Sequence, residues 1–247
     1  MRQESVRPIS ALFESALILL VITAFLFYDP FRINYKAADF LRLKFPIFTR
    51  EPKLLFYTYM YMGSFIAKAS ALIIILALLS ARNEGIGDAL AVRPPISGEW
   101  RDYILPFIVV STLIRIYYFL NPLLPNLPIR LIFPSAMVTG NAIIISSVII
   151  IAPITEEAIF RGYLFDAFAR NFGGGVSVAL TSLLFALAHI RQLEFEIVPT
   201  AIILILGVMF GILRYRTKSL LAPIVFHGIY NLVYILLGAL NFFLVGY

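Results

Sequence analysis

Long apolar stretches recur along the whole chain. Seven of them approach or exceed the length of about 20 residues that an α-helix needs to cross a membrane. A soluble core could not absorb them, since 61% of the 247 residues are hydrophobic and only 14% are charged. The sequence therefore predicts an all-α polytopic membrane protein with about seven transmembrane helices. The predicted spans are residues 10–28, 53–80 and 103–120, a long fourth helix from about 135 to a glycine turn at 173–175, a fifth helix from that turn to about 190, and residues 197–214 and 219–245.

Charge and cysteine usage exclude several function classes. The net charge of +6 comes from basic residues that lie mostly between the apolar stretches, which is typical of anchors at anionic headgroups and not of nucleic-acid binding. The chain has no cysteine, so disulfides, thiolate nucleophiles and thiolate metal sites are excluded. No small-residue cleavage site follows the first apolar stretch, and we interpret it as a retained helix.

Two carboxylates and an arginine interrupt the fourth apolar stretch. Each charge near the centre of a bilayer costs at least about 2.5–3.5 kcal/mol, so such residues are rare without a use. Glu157 and Arg161 are four residues apart and are predicted to pair on one helix face. Glu156 points about 100° away from Glu157, and position 160 is Phe, so it has no basic residue four positions on. Glu156 is therefore predicted to be the carboxylate available as a general base.

Three further polar side chains lie in the late apolar helices. The two histidines of the chain, His189 and His227, interrupt the fifth and seventh predicted spans, and Asn231 follows His227 by one helical turn. His189 could share a water with Glu156 or orient it. His227 and Asn231 share a face and could stabilise an oxyanion. The prolines at 153 and 223 are predicted to bend their helices and to admit water at depth.

Residues of the sixth predicted span suggest how it packs. Gly207 and Gly211 have the spacing that lets a neighbouring helix approach closely, although two incidental glycines fit equally well. Arg214, Arg216 and Lys218 are predicted to form a basic turn before the last helix.

Three motifs on the late helices resemble one known family. They are Glu156-Glu157-x-x-x-Arg161, Phe185-x-x-x-His189 and His227-x-x-x-Asn231, in that order. This pattern is similar to the CPBP (CAAX protease and bacteriocin-processing, Abi) family, which includes the type II CAAX prenyl endopeptidases. The resemblance implies an intramembrane endopeptidase with its cavity between three late helices. It implies that Glu156 and His189 activate water, that His227 and Asn231 form the oxyanion hole, and that Glu157 and Arg161 support them.

The resemblance also sets the predicted domain organisation and partners. It covers roughly residues 100–245, so we predict an N-terminal membrane region at 1–100, with two spans and an interfacial segment, and the protease-like domain at 101–247. The interfacial segment, residues 29–53, is equally well explained as a solvated loop. The expected partners are the lipid bilayer and a peptide or protein substrate that reaches the site from the membrane or the aqueous face. The expected location is the cell membrane, and no cofactor is expected.

Three other functions fit parts of the pattern. Glu156, His189 and His227 could form a His₂Glu zinc site of a metalloprotease. Against zinc, the chain has no His-Glu-x-x-His helix, no cysteine and no obvious acidic partner for either histidine. A non-catalytic bacteriocin-immunity or scaffold protein is a second alternative. A proton-coupled transporter is a third, although the sequence shows no inverted repeat.

Overall fold

All regular secondary structure in the described part of the chain is helical. The computed structural model describes residues 69–70, 72–80, 85–95, 147–190 and 197–245, together with 43, 108, 111, 112, 193 and 195. These residues contain no strand, which confirms the all-α class. The predicted first span and nearly all of the interfacial segment and the third span lie outside the described residues, as does the start of the fourth span.

Six helices are named here in chain order. They are α1 (residues 72–80), α2 (Ile86–Ala89), α3 (147–172), α4 (Gly174–His189), α5 (Ile197–Thr217) and α6 (Leu221–Val245). Both ends of α5 and α6 and the C-terminal end of α4 agree with the predicted spans to within three residues.

The helix α3 alternates between two helical forms. It runs through a π-helical stretch at Ser147–Ile151, an α-helical turn at Ala152–Glu157, a second π-helical stretch at Ala158–Leu164 and an α-helical end at Phe165–Phe172. A π-helical stretch shifts the side chains that follow it around the helix and is common at functional sites. Gly173, with φ of 80°, ends α3 in a conformation that favours glycine and so allows α4 to begin immediately.

Helices α4 and α5 pack closely through the two predicted glycines. A Cβ at Gly207 would lie 3.2 Å from the Cα of Ser182, and one at Gly211 would lie 3.0 Å from a methyl group of Val178. Small residues at these positions therefore let the two helices approach, which confirms the packing interpretation of the spacing. On the facing side of α4 the buried hydroxyls of Ser182 and Thr181 donate to carbonyls one turn back, at 2.6 and 2.7 Å.

Helix α6 lies against α3 at a third close glycine contact. A Cβ at Gly228 would lie 2.9 Å from the carbonyl oxygen of Ile149, a separation that real side chains do not tolerate. Pro153 lies four residues after that carbonyl and has no N–H to offer it. Pro223 is the third residue of α6, where the first turn needs no N–H donor, so the predicted bend at this proline is wrong.

The segment before residue 96 packs against the late helices. Ile75, Leu79 and Leu90 are buried in one cluster with side chains of α3, among them Phe160 and Leu164. The backbone N–H of Leu220 donates to the carbonyl of Ala91 at 2.8 Å, and Arg93 donates to the carbonyl of Lys218 at 2.9 Å. The domain boundary near residue 100 stays a prediction, and residues on both sides of it share this core.

One helix within the described residues, α5, is both long and apolar enough to cross a membrane by length and composition. Helix α4 and residues 221–236 of α6 are apolar but shorter. The predicted count of seven spans therefore stays a prediction.

Candidate active site

The structure brings together the six side chains that the sequence singles out. Glu156, Glu157 and Arg161 lie on α3, where the α-helical turn gives way to the second π-helical stretch. His189 is the last residue of α4. The remaining two, His227 and Asn231, lie on the half of α6 that faces α3.

Glu156 lies between the two imidazole rings. Its carboxylate is buried, with 3% of the side chain exposed. Its Oε2 atom is 3.6 Å from Nε2 of His189 and 3.9 Å from Nε2 of His227. One carboxylate oxygen therefore faces the same nitrogen of both rings, and the three groups come from three different helices.

The backbone of α4 orients His189. Its Nδ1 lies 2.7 Å from the carbonyl oxygen of Phe185, one turn earlier. Because a carbonyl oxygen only accepts hydrogen bonds, Nδ1 must carry the hydrogen. In the neutral ring, Nε2 then presents a lone pair toward Glu156. The ring of Phe185 packs on the imidazole with centroids 4.5 Å apart, which fixes the plane of His189.

A carboxylate and an aromatic stack orient His227. Its Nδ1 lies 2.8 Å from Oε1 of Glu157, so Nδ1 donates to that carboxylate. The ring of Phe210 stacks on the imidazole at 4.9 Å with 19° between the planes, and Phe185 approaches edge-on at 5.9 Å. These contacts leave Nε2 of His227 directed toward Glu156.

Glu157 and Arg161 form the predicted ion pair, and both side chains are fully buried. Nη1 of Arg161 donates to Oε1 of Glu157 at 3.1 Å, and neither side chain is exposed. Nη2 donates to the carbonyl of Gly207 on α5 at 2.8 Å, and the guanidinium lies 4.4 Å from the ring centroid of Phe185. The pairing is confirmed, but Glu157 has a second role that spacing did not reveal, because the same oxygen also binds His227.

Asn231 lies beside the cluster with one N–H occupied. Its Nδ2 donates to the carbonyl of Val148 in the first π-helical stretch of α3, at 2.9 Å. The side-chain amide nitrogen of Asn231 carries two hydrogens, so its second N–H can donate to another acceptor. The role of Asn231 in an oxyanion hole stays a prediction.

Two features of the site had no counterpart in the sequence analysis. Phe210 carries no signal that separates it from the other aromatic residues of an apolar helix. The contact between Glu157 and His227 joins residues 70 positions apart in the chain, and neither periodicity nor spacing predicts it.

The contact between Glu157 and His227 also corrects an argument about metals. The sequence shows no obvious acidic partner for either histidine, which argues against zinc, but in the structure Glu157 is such a partner for His227. The other two objections stand. Among the described residues, no group of three or more His, Cys, Asp or Glu side chains is arranged to hold a metal ion.

An apolar groove runs beside the cluster, between α3 and α6. It is lined by residues within 149–154 and 224–232. They include Pro153, three residues before Glu156, and Gly228, which directly follows His227. All of its lining residues are apolar, which differs from the water-filled space expected at Pro153.

Comparisons with known proteins agree with the three motifs. Residues 138–233 match the family model described as type II CAAX prenyl endopeptidase Rce1-like. The membrane-embedded CAAX protease MroQ of Staphylococcus aureus (strain USA300) is 28% identical over 204 residues, which cover 73% of this chain and 79% of that protein. An uncharacterized 24.3 kDa protein of Escherichia coli is 24% identical over 140 residues, which cover 54% of this chain and 64% of that protein. No solved structure matches the chain.

The predicted resemblance to the type II CAAX prenyl endopeptidases is therefore confirmed. The matched region contains every motif residue from Glu156 to Asn231. The match with MroQ, which is named membrane-embedded, supports a membrane protein, and both matches support a peptidase.

Proposed function

We propose that the protein is an intramembrane endopeptidase that hydrolyses a peptide bond with a water activated by Glu156. The observation that carries the proposal is the position of the Glu156 Oε2 atom, 3.6 and 3.9 Å from two imidazole Nε2 atoms whose rings are both fixed through Nδ1. A buried carboxylate beside an oriented imidazole is a suitable general base for water. The matching family and MroQ, which is named a CAAX protease, support this reaction class.

The proposed reaction uses each group once. Glu156, assisted by His189, takes a proton from water as the water oxygen attacks the carbonyl carbon of the scissile bond. The oxyanion that forms accepts hydrogen bonds from His227 and from the second N–H of Asn231. The C–N bond then breaks, and the proton held by Glu156 passes to the leaving amine nitrogen. The products are a carboxylic acid and an amine.

The contact with Glu157 defines the form in which His227 would act. Nδ1 of His227 donates to Glu157, so the ring can offer an Nε2–H to an oxyanion only when both nitrogens are protonated. Glu157 stabilises that positive ring, as the buried aspartate does in serine proteases. His189 donates to a neutral carbonyl instead, and its proposed role needs the lone pair on Nε2.

Topology and partners belong to the same proposal. We place seven spans in the cell membrane, with the catalytic cavity between α3, α4 and α6. The substrate is a peptide or protein segment that enters from the lipid or the aqueous face, and a CAAX-type C-terminus is the first class to test, because MroQ and the matching family carry that name. No nucleic-acid partner is proposed.

The variant Glu156→Gln distinguishes a peptidase from a binding protein of the immunity or scaffold type. Purified protein reconstituted in liposomes would be given CAAX-type peptides, and cleavage would be followed by mass spectrometry. Comparing the membrane peptides of cells that carry the wild type or the variant would identify native substrates. We expect cleavage by the wild type and none by Glu156→Gln. Equal function of the two proteins would contradict the proposal and favour a binding role.

Zinc is the alternative that needs its own measurement. We propose that the reaction needs no metal, so the protein should turn over fully after strong chelation, with no zinc found by elemental analysis. Stoichiometric zinc, with activity lost on chelation and restored by zinc, would replace the glutamate mechanism by a His₂Glu metalloprotease.

A further inference from the structure

A second buried arginine lies outside the three motifs. Arg214 was predicted to belong to a basic turn, but it lies within α5 and only 4% of it is exposed. Its Nε donates to the backbone carbonyl of Arg161 at 2.9 Å. Its Nη2 donates to both carboxylate oxygens of Asp166, at 2.8 and 3.1 Å, and its guanidinium lies 5.2 Å from the ring centroid of Phe165.

The two buried arginines connect α3 and α5 in opposite directions. Arg161 on α3 donates to the Gly207 carbonyl on α5, and Arg214 on α5 donates to the Arg161 carbonyl on α3. The Arg161 carbonyl lies within the π-helical stretch Ala158–Leu164. Arg214 therefore contacts the backbone of the residue whose side chain binds Glu157.

A continuous set of contacts leads from this pair to the candidate active site. Arg214 holds the backbone of Arg161, the Arg161 side chain donates to Glu157, and Glu157 accepts from Nδ1 of His227. The other nitrogen of His227 faces Glu156. Each link is a hydrogen bond or an ion pair between groups that are largely buried, and such contacts tolerate little displacement.

We propose that Arg214 is a positioning residue for the peptidase reaction. It fixes the π-helical backbone at Arg161 and thereby sets the orientation of Glu157 and His227. The role rests on the proposed function, because it is defined by its effect on the peptidase site. Arg214 itself touches neither substrate nor the reacting atoms.

The chemistry of the contact requires arginine. One planar group serves two acceptors in different directions, the Arg161 carbonyl through Nε and the Asp166 carboxylate through Nη2. A lysine keeps the charge but offers a single nitrogen on a flexible stem, so it cannot reproduce this fixed fork. Arg214→Lys therefore removes the geometry and keeps the charge.

The test compares Arg214→Lys with a matched control, Arg216→Gln, two residues on in the exposed part of the same helix. For cleavage of a CAAX-type peptide we expect Arg214→Lys to lower kcat about ten-fold with KM unchanged, because displacement of a catalytic group costs turnover more than binding. Arg216→Gln should retain wild-type kcat and KM. Wild-type kcat in Arg214→Lys would overturn the proposal.

A double-mutant cycle separates positioning from a general loss of stability. If Arg214 acts through Glu157, the variant with both Arg214→Lys and Glu157→Gln should be about as slow as Glu157→Gln alone. In the cycle with Asn231→Ala, the fold-losses in kcat of the two single variants should multiply in the double variant. Multiplication in both cycles would show that Arg214 does not act through Glu157.

Two further measurements keep the outcome interpretable. If Arg214→Lys unfolds in detergent, Asp166→Asn is measured in the same cycles, because it changes the carboxylate that Arg214 binds. It should show the same coupling to Glu157→Gln. If its effect on kcat instead multiplies with that of Glu157→Gln, the proposal is overturned. Failure of the underlying function looks different, because then the wild type cleaves nothing or Glu156→Gln cleaves normally.

Discussion

Glu156 and Glu157 are neighbours in sequence and both are buried, yet their surroundings differ in kind. Glu157 accepts from an arginine at 3.1 Å and from an imidazole at 2.8 Å, so its charge is compensated by two donors. Glu156 faces the Nε2 atoms of two imidazoles at 3.6 and 3.9 Å, which are longer contacts between groups that all can accept a proton. The first environment is typical of a structural ion pair, and the second of a site that handles protons.

The comparison shows how one helix can supply both environments. Successive residues of a helix project about 100° apart, so Glu157 faces Arg161 and α6 while Glu156 faces the end of α4. His227 joins the two environments, since its Nδ1 belongs to Glu157 and its Nε2 faces Glu156. The compensated carboxylate therefore orients a ring that the other carboxylate can use.

The largest expected effects are on the Glu156 side. We predict that Glu156→Ala, His189→Ala and His227→Ala each abolish peptide cleavage, because each removes the base, its partner or the oxyanion donor. Each protein should still insert into membranes, as measured by fractionation and by gel filtration in detergent. Wild-type turnover in any one variant would remove that residue from the catalytic set.

A smaller loss is expected at Asn231, which is proposed to supply one donor among two. Asn231→Ala should reduce kcat by about 10²–10³, the usual effect of removing one oxyanion donor. The variant also loses the hydrogen bond to Val148, so thermal denaturation must be measured alongside. An unchanged kcat in a stable Asn231→Ala protein would leave Asn231 with only its contact to α3.

Substitution of Glu157, whose charge is compensated by two donors, should lower the stability of the protein as well as its turnover. Glu157→Gln removes the negative charge beside the fully buried Arg161, and breaking a buried ion pair costs about 3–5 kcal/mol. We expect a clear drop in Tm, together with a loss of about 10–100-fold in turnover because His227 loses its orienting carboxylate.

Glu156→Gln should not lower Tm, in contrast to Glu157→Gln, if Glu156 is the catalytic carboxylate and Glu157 the structural one. Its Tm should equal or exceed that of the wild type, because functional groups are often retained at the expense of stability. Equal drops in Tm for the two Gln variants would mean that both carboxylates are structural.

Local spacing predicted the parts of this site that lie within one helix. The pairing of Glu157 with Arg161 and the close approach at Gly207 follow from helical periodicity and residue size. Apart from the close approach at Gly207, spacing did not predict which atoms meet between helices, because the chain gives no register for one helix against another. The bond between Glu157 and His227 and the burial of Arg214 are both of this kind.

The π-helical stretches of α3 were equally inaccessible to sequence patterns. In the first stretch only Ser147 is polar, and one polar residue does not show a change of helical period. The proline at 223 was misjudged for a simpler reason: α6 begins only two residues before it, and a proline in the first turn breaks no hydrogen bond.

The smallest expected effect tests whether α6 must lie this close to α3. In Gly228→Ala the added methyl would meet the Ile149 carbonyl at 2.9 Å, and this contact is with backbone that cannot rotate away. The helices must separate slightly, which moves the adjacent His227 relative to Glu156, and a displacement below 1 Å should lower kcat about ten-fold. Gly175→Ala is the matched control, because nothing lies within 4 Å of its added methyl. Wild-type kcat in both alanine variants would show that the site tolerates movement of α6, and the fixed orientation of His227 would then lose its importance for the mechanism.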